Sequence, residues 1–189
     1  MSLTIRRLKP QEFALSAGAL VDIYIAAMGY DPAIRDGRIY SWQREISRPG
    51  FTSLIAEDAT GVVGVAYGFI GTPDSWWDRQ LRMALRRRGG PSDEEMTILR
   101  NYFEVAEIHV LPRMQGLGLG RELLTQLLWN APGKWALLST PEVPGESNRA
   151  FSLYRSMGFT DLIRHHQYPG DDRPFAILQT SLPLSSESE

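Results

Sequence analysis

The 189-residue sequence is 43% hydrophobic and 10% aromatic, carries a formal net charge of −2, and contains no cysteine. These figures suit a globular domain with a substantial core and give no global support for binding nucleic acid or an anionic membrane. Without cysteine, disulfides, thiolate metal sites and a Cys acyl-enzyme are excluded. No apolar run is long enough to span a bilayer. The opening segment M-S-L-T-I-R-R-L-K-P lacks an apolar signal core, so a cytoplasmic protein is expected. His109, His165 and His166 are too few and too poorly spaced for a metal site, and none is expected.

In chain order, Thr4 to Leu8 reads as a short strand. Gln11 to Met28 carries Phe13, Leu20, Ile23, Tyr24 and Ala27 at helical spacing. Asp31-Pro32 breaks that helix, and a second follows over Ile34 to Ile46, ended by Pro49-Gly50. Phe51 to Glu57 and Val62 to Ile70 are apolar, β-branched runs flanking a hairpin-type loop, Asp58-Ala59-Thr60-Gly61. Helices are expected over Asp74 to Arg88 and over Ser92 to Arg100, the latter opened by Ser-Asp-Glu-Glu. Tyr102 to Val110 is a strand and Gly118 to Trp129 a helix with Leu123, Leu124, Leu127 and Leu128 inward. The rest reads as strand Trp135 to Ser139, helix Ser147 to Met157, and strands Phe159 to Arg164 and Phe175 to Thr180.

The order β-α-α-β-β-(two helices)-β-α-β-α-β-β predicts an α/β fold with a mixed sheet. One domain is expected over residues 1–184, with a polar tail over 185–189. The segment Thr72 to Arg100 is a helical insertion between the third and fourth strands. Its Arg79, Arg82 and Arg86 fall on one helical face, suited to solvent or to an acidic partner.

The run Val110 to Glu122, V-L-P-R-M-Q-G-L-G-L-G-R-E, carries the sharpest chemistry. Gly116, Gly118 and Gly120 alternate with leucine where a strand turns into a helix. Such a turn offers successive main-chain N–H groups at a helix N-terminus, where orphan donors and the helix dipole favour an anion. A phosphate or pyrophosphate is the natural guest. The spacing is not G-x-G-x-x-G, since Arg121 or Leu123 falls at the third position. It is not a Walker loop either, because the only Gly-Lys pair, Gly133-Lys134, is followed by Trp135.

Glu104 to Phe159 resembles the GNAT acyltransferase superfamily, the acetyl-CoA-dependent N-acetyltransferases. Val110-x-Pro112-x-x-Gln115-Gly116-x-Gly118-x-Gly120 is similar to that family's pyrophosphate loop. Asn148-Arg149-Ala150-Phe151-Ser152-Leu153-Tyr154-Arg155-Ser156-Met157-Gly158-Phe159 resembles its A-x-x-L-Y-x-x-x-G-F segment. The resemblance implies a GNAT-like N-acyltransferase fold and acetyl-CoA as co-substrate.

On the resemblance, Gln115, Gly116, Leu117, Gly118, Leu119, Gly120 and Arg121 would hold the diphosphate, with Arg113 adding a charge-assisted contact. The strand before the loop would splay and present Ile108, His109 and Val110 to pantetheine, Ile108 and Val110 through main-chain groups. An N–H near Val110 would polarise the thioester carbonyl. Tyr154 would protonate the departing thiolate. Ser147 stands where the family often has asparagine, with Asn148 one residue later. Either could bond a pantetheine amide, and Ser147 reads as a good N-cap.

A neutral amine must attack, so a general base is required. Glu104 and Glu107 are the candidates, Glu104 preferred, on opposite strand faces unless a bulge intervenes. Tyr30, Tyr40, Trp42, Trp76 and Trp77 either line an aromatic acceptor pocket or fill the core. The expected function is direct acetyl transfer to a primary amine of a small molecule or peptide. The alternative is an acyl-CoA-binding sensor or interaction module without turnover. Neither nucleic acid nor a membrane is an expected partner, and monomer and homodimer are both open.

Overall fold

The computed structural model describes residues 3–184; the tail assigned to 185–189 lies outside the described residues. Among the described residues, seven strands form a mixed sheet in the order β1-β2-β3-β4-β5-β7-β6. The strands are β1 (Thr4–Leu8), β2 (Thr52–Asp58), β3 (Gly61–Ile70), β4 (Tyr102–Val110), β5 (Trp135–Pro141), β6 (Thr160–His166) and β7 (Phe175–Ser181). The helices are α1 (Pro10–Met28), α2 (Arg35–Glu45), α3 (Trp76–Arg87), α4 (Asp93–Leu99), α5 (Leu119–Leu128) and α6 (Arg149–Ser156). The expected mixed α/β class and the helical pair between the third and fourth strands are both present. The chain forms two compact units. One holds the residues through Phe69 together with Val105–Trp129; the other holds Ile70–Glu104 and the residues from Asn130 on. β4 therefore gives its first three residues to the second unit and its last six to the first.

In the first unit, β1, β2 and β3 pair antiparallel, with Ile5 opposite Ala56 and Leu54 opposite Ala66. α1 begins with Pro10, whose missing N–H costs nothing at a helix start. It ends at Gly29 in the left-handed region, φ 66°. Its buried face, Phe13, Ala17, Leu20, Val21 and Tyr24, meets a largely aromatic core. The Phe13 ring lies 5.0 Å from Tyr67, and Trp42 5.2 Å from Tyr67. Trp42, 1% exposed, is thus a core residue rather than part of an acceptor pocket.

α5 buries Leu119, Leu123, Leu124, Leu127 and Leu128 on one face. Its close approach to the sheet depends on Gly64, where a Cβ would sit 3.0 Å from Leu123 Cδ1 and 3.5 Å from the His109 carbonyl. Arg7 Nη2 donates to the carbonyls of Gln126 at 2.9 Å and Trp129 at 3.4 Å, satisfying the C-terminal end of α5.

In the second unit β5 pairs antiparallel with β7, and β7 with β6. Two capped helices follow the sequence signals. Ser75 accepts from the Asp78 N–H at the start of α3, and Ser92 and Glu95 form a reciprocal capping box on α4. Leu81, Leu85, Ile98, Leu99 and Tyr102 pack with Leu137, Leu162, Ile163 and Ile177.

Candidate active site

The glycine run folds as a strand-to-helix turn. After Val110 a 3-10 turn spans Pro112–Met114. The Met114 N–H donates to the Leu111 carbonyl at 2.8 Å, and the Gln115 side chain donates through Nε2 to the Val110 carbonyl at 3.0 Å. Gly116 and Gly118 then adopt φ 79° and 82°. Residues with a Cβ resist that region, which is why glycine stands there. Gly118 is the N-cap of α5 and offers no side-chain acceptor to the first-turn N–H groups. Outside its own turn of chain, no described atom lies within 4 Å of where a Gly118 Cβ would be. The N–H groups of Leu119, Gly120 and Arg121 are the first-turn donors, and the dipole of the helix favours an anion beside them.

β4 departs from regular alternation. Its parallel register with β5 covers Tyr102↔Trp135, Phe103↔Ala136 and Glu104↔Leu137. The strand continues six residues past that register, over Val105–Val110. Toward β3, the Tyr102 carbonyl accepts from Gly71 at 2.9 Å, and nine residues later the Leu111 N–H donates to the Val63 carbonyl at 2.9 Å. Carbonyls alternate sides along a strand, so a regular β4 would aim the Val110 carbonyl at β3. The Leu111 bond instead turns it away, where Gln115 meets it. One irregularity of the bulge type therefore lies between Tyr102 and Leu111. It turns the main-chain groups of Ile108 and Val110 to the edge away from β3, and it removes the simple parity argument that separated Glu104 from Glu107.

Glu107 and His109 form a pair on this segment. Glu107 Oε2 and His109 Nε2 lie 2.5 Å apart, with both side chains mostly buried. The Tyr24 ring stands edge-on to His109 at 4.9 Å. Burial, and after it the Glu107 charge, raises the proton affinity of the Tyr24 phenol. Glu45 is raised as well, by burial first; Arg48 opposes the shift and Glu107 adds to it. The pair was findable in sequence from its i, i+2 spacing, which puts both side chains on one strand face.

Arg113 also has a structural role. Its guanidinium donates to Asp58 at 2.9 Å and to Thr60 Oγ1 at 2.6 Å, tying the loop to the β2–β3 hairpin. These two bonds leave other guanidinium N–H groups of the half-exposed side chain able to meet a phosphate. The Arg113 hydrogen bond, with help from Thr60, pulls the Asp58 carboxyl from 3.8 down to about 2. The stabilisation from a depressed carboxyl is complete above the unfolded value of 3.8 and is lost as pH falls through about 2. In Arg113→Ala, the Asp58 carboxyl titration followed by NMR is expected to move back toward 3.8.

The remaining candidates belong to the second unit. Tyr154 is buried on α6 with its ring 5.9 Å from Phe159. Asn148, not Ser147, is the N-cap of α6, accepting from the Phe151 N–H at 2.9 Å. Ser147 closes the preceding 3-10 turn over Pro144–Glu146, which the sequence reading did not anticipate. Glu104 is buried on β4.

Two features of this unit escaped the sequence reading. Asp78 is fully buried, accepting from Arg82 Nε at 2.5 Å and from the Tyr102 hydroxyl at 2.9 Å. Trp77 donates to the Tyr168 hydroxyl, which in turn donates to Ser139, each at 2.8 Å. Burial lifts the Tyr168 phenol to about 12; the Ser139 and Trp77 bonds lower it and the Glu104 charge adds to the rise. Among the described residues, no group of three His, Cys, Asp or Glu side chains is placed to hold a metal ion. No described helix is long and apolar enough to cross a membrane.

The family model for the acetyltransferase (GNAT) domain matches residues 49–161. A GCN5-like protein acetyltransferase of Mycobacterium tuberculosis is 36% identical, over 97% of this chain and 100% of its own length. The chain belongs to the GNAT acetyltransferase family, whose members are acyltransferases. Solved structures share its fold. One is a Salmonella typhimurium protein assigned as an acetyltransferase and solved with its cofactor acetyl-CoA (TM-score 0.61, 21% identity, 100% of this chain and 99% of that one). Another is a ribosomal-protein-alanine N-acetyltransferase from Brucella melitensis (TM-score 0.60, 22% identity, 95% and 99%).

Proposed function

We propose that this protein transfers an acetyl group from acetyl-CoA directly to a primary amine, and that it acts in the cytoplasm. The observation that carries the reading is the glycine-capped start of α5, reached from the stretch of β4 that runs past its register with β5. First-turn donors for a diphosphate and main-chain groups for pantetheine fall on one continuous stretch, Ile108 to Arg121. The donors belong to the main chain and need no rearrangement to receive an anion, which favours tight binding. The solved Salmonella protein carries acetyl-CoA. The Mycobacterium relative is described as a protein acetyltransferase, which favours a protein or peptide amine as acceptor.

Acetyl-CoA supplies the activated thioester; the chain's residues position it and move protons. The Val110 N–H stabilises the negative charge that develops on the carbonyl oxygen. Glu107, bonded to His109, takes the proton from the attacking amine, directly or through one water. Tyr154 returns a proton to the departing sulfur. Positioning the amine against the carbonyl supplies much of the rate.

An amine-panel assay following release of free coenzyme A tests the activity itself. Release with a peptide amine supports the proposal; no release with any amine, under saturating acetyl-CoA, favours a binding module instead. For the base, Glu107→Gln is expected to lower kcat about 10²-fold or more, with KM for acetyl-CoA little changed. Glu104→Gln, measured beside it, is expected to cost much less. The reverse order would move the base to Glu104.

A further inference from the structure

We propose that Glu146 is a positioning residue for Tyr154. Gripped by Arg155 and Arg164, its carboxylate fixes how the chain enters α6, and so where that helix presents the Tyr154 hydroxyl. The role rests on the reading of Tyr154 as the proton donor to sulfur.

α6 has eight residues, too few to hold a helix in water without tertiary support. Its direction and rotation must come from what grips its ends. At the start, Asn148 accepts from the Phe151 N–H at 2.9 Å. Just ahead of that cap the backbone passes twice through the left-handed region, with φ 61° at Gly145 and 52° at Glu146. Glycine takes that region freely, whereas glutamate does so at a cost. Such a residue persists only where its surroundings over-determine it.

Here the surroundings are two arginines. Arg155, in the last turn of α6, donates from Nε to Glu146 Oε2 at 2.9 Å and from Nη2 to Oε1 at 2.6 Å. That fork fixes the plane of the carboxylate as well as its place. Arg164 on β6 donates to the same Oε1 at 2.9 Å and is itself anchored to Glu142 at 2.7 Å. Arg155 also reaches Asp161 at 2.6 Å and the Phe159 carbonyl at 3.2 Å. Glu146 thus joins the entry of α6 to its last turn, and both to β6. An isolated exposed pair would add little energy; three donors converging on one carboxylate instead impose a geometry. Bonding from Arg155 first, opposed by burial and helped by Arg164, holds the Glu146 carboxyl below the ordinary carboxylate range.

The same arginines bear on the buried face of the helix. Both guanidinium carbons lie 5.8 Å from the Phe151 ring centroid. Phe151 and Tyr154 are the buried residues of α6. Three residues apart, they share a face. The clamp therefore sets the rotation of the face that carries Tyr154.

The test uses the full chain with ¹³C-labelled tyrosine, observed by NMR, and the same variants assayed for release of coenzyme A from acetyl-CoA with a lysine-containing peptide. Glu146→Gly keeps the turn without conformational cost and deletes the carboxylate. The Tyr154 ring signals, identified by their loss in Tyr154→Phe, are expected to shift or broaden in Glu146→Gly while those of Tyr102 stay. This arm needs no turnover. In the assay kcat is expected to fall about tenfold, with KM for acetyl-CoA little changed. Glu146→Gln keeps an oxygen for Arg155 and should recover part of the loss. In the Tyr154→Phe background Glu146→Gly should cost less than about twofold more, because both act through one hydroxyl. Unmoved Tyr154 signals, an unchanged kcat in Glu146→Gly, or a loss of the same size in the Tyr154→Phe background overturns the role of Glu146 alone. An unchanged kcat in Tyr154→Phe itself overturns the proton-donor reading, and this role with it.

Discussion

Tyr154→Phe is expected to reduce kcat by about 10²-fold or more while coenzyme A affinity stays close to that of the parent. The substitution removes one hydroxyl and keeps the ring that packs 5.9 Å from Phe159. α6 keeps its Asn148 cap and its buried Phe151, so the position of residue 154 on its own helix is preserved. What disappears is the proposed proton donor to the leaving sulfur. Single-turnover kinetics beside equilibrium binding separate the two properties. Equal loss of kcat and binding would instead make Tyr154 a packing residue, and an unchanged kcat would remove it from the chemistry.

The largest effect on stability is expected from Arg82→Ala. Asp78 is completely buried, and Arg82 is its charged partner. Removing one member of a buried pair strands the other, at a cost of about 3–5 kcal/mol. The Tyr102 hydroxyl still donates to Asp78 and offsets part of this, so about 3 kcal/mol is expected. For a chain of this size that corresponds to a fall in Tm of roughly 6–12 °C, measurable by calorimetry. The double variant Asp78→Asn/Arg82→Ala should recover part of the loss, because an amide leaves no buried charge. If Arg82→Ala alone were neutral, the pair would carry no weight in the fold.

What the sequence revealed was set by local constraints. The capping box at Ser92 and the bounds of β4 follow from residues close to one another in the chain. So does the left-handed glycine at the start of α5, where Gly118 meets the helix it caps. The family motifs around Gly118 and Tyr154 are local in the same sense. The missing details depend on distant partners. Arg113 reads only as a phosphate ligand; its tie to the β2–β3 hairpin shows once Asp58, 55 residues earlier, is found beside it. Asp78 looks like an ordinary first-turn acid on α3 until Tyr102 reaches it from β4. Strand parity set Glu104 and Glu107 on opposite faces, and one irregularity in β4 undoes that separation. Ser147 and Asn148 are both good caps by type, and the 3-10 turn ahead of α6 decided for Asn148. Trp42 could have lined a pocket on composition alone; its place between Phe13 and Tyr67 makes it core.

The central claim is that main-chain N–H groups at the start of α5 hold the diphosphate of coenzyme A. Isothermal titration of the purified protein with coenzyme A, and in parallel with pantetheine, tests it most directly. Pantetheine lacks the diphosphate and the nucleotide but keeps the arm that would follow β4. Saturable binding of coenzyme A is expected, with pantetheine about 10²-fold weaker, since two or more charge-assisted hydrogen bonds are lost. Equal affinity for the two ligands, or no binding of coenzyme A by folded protein, would contradict it.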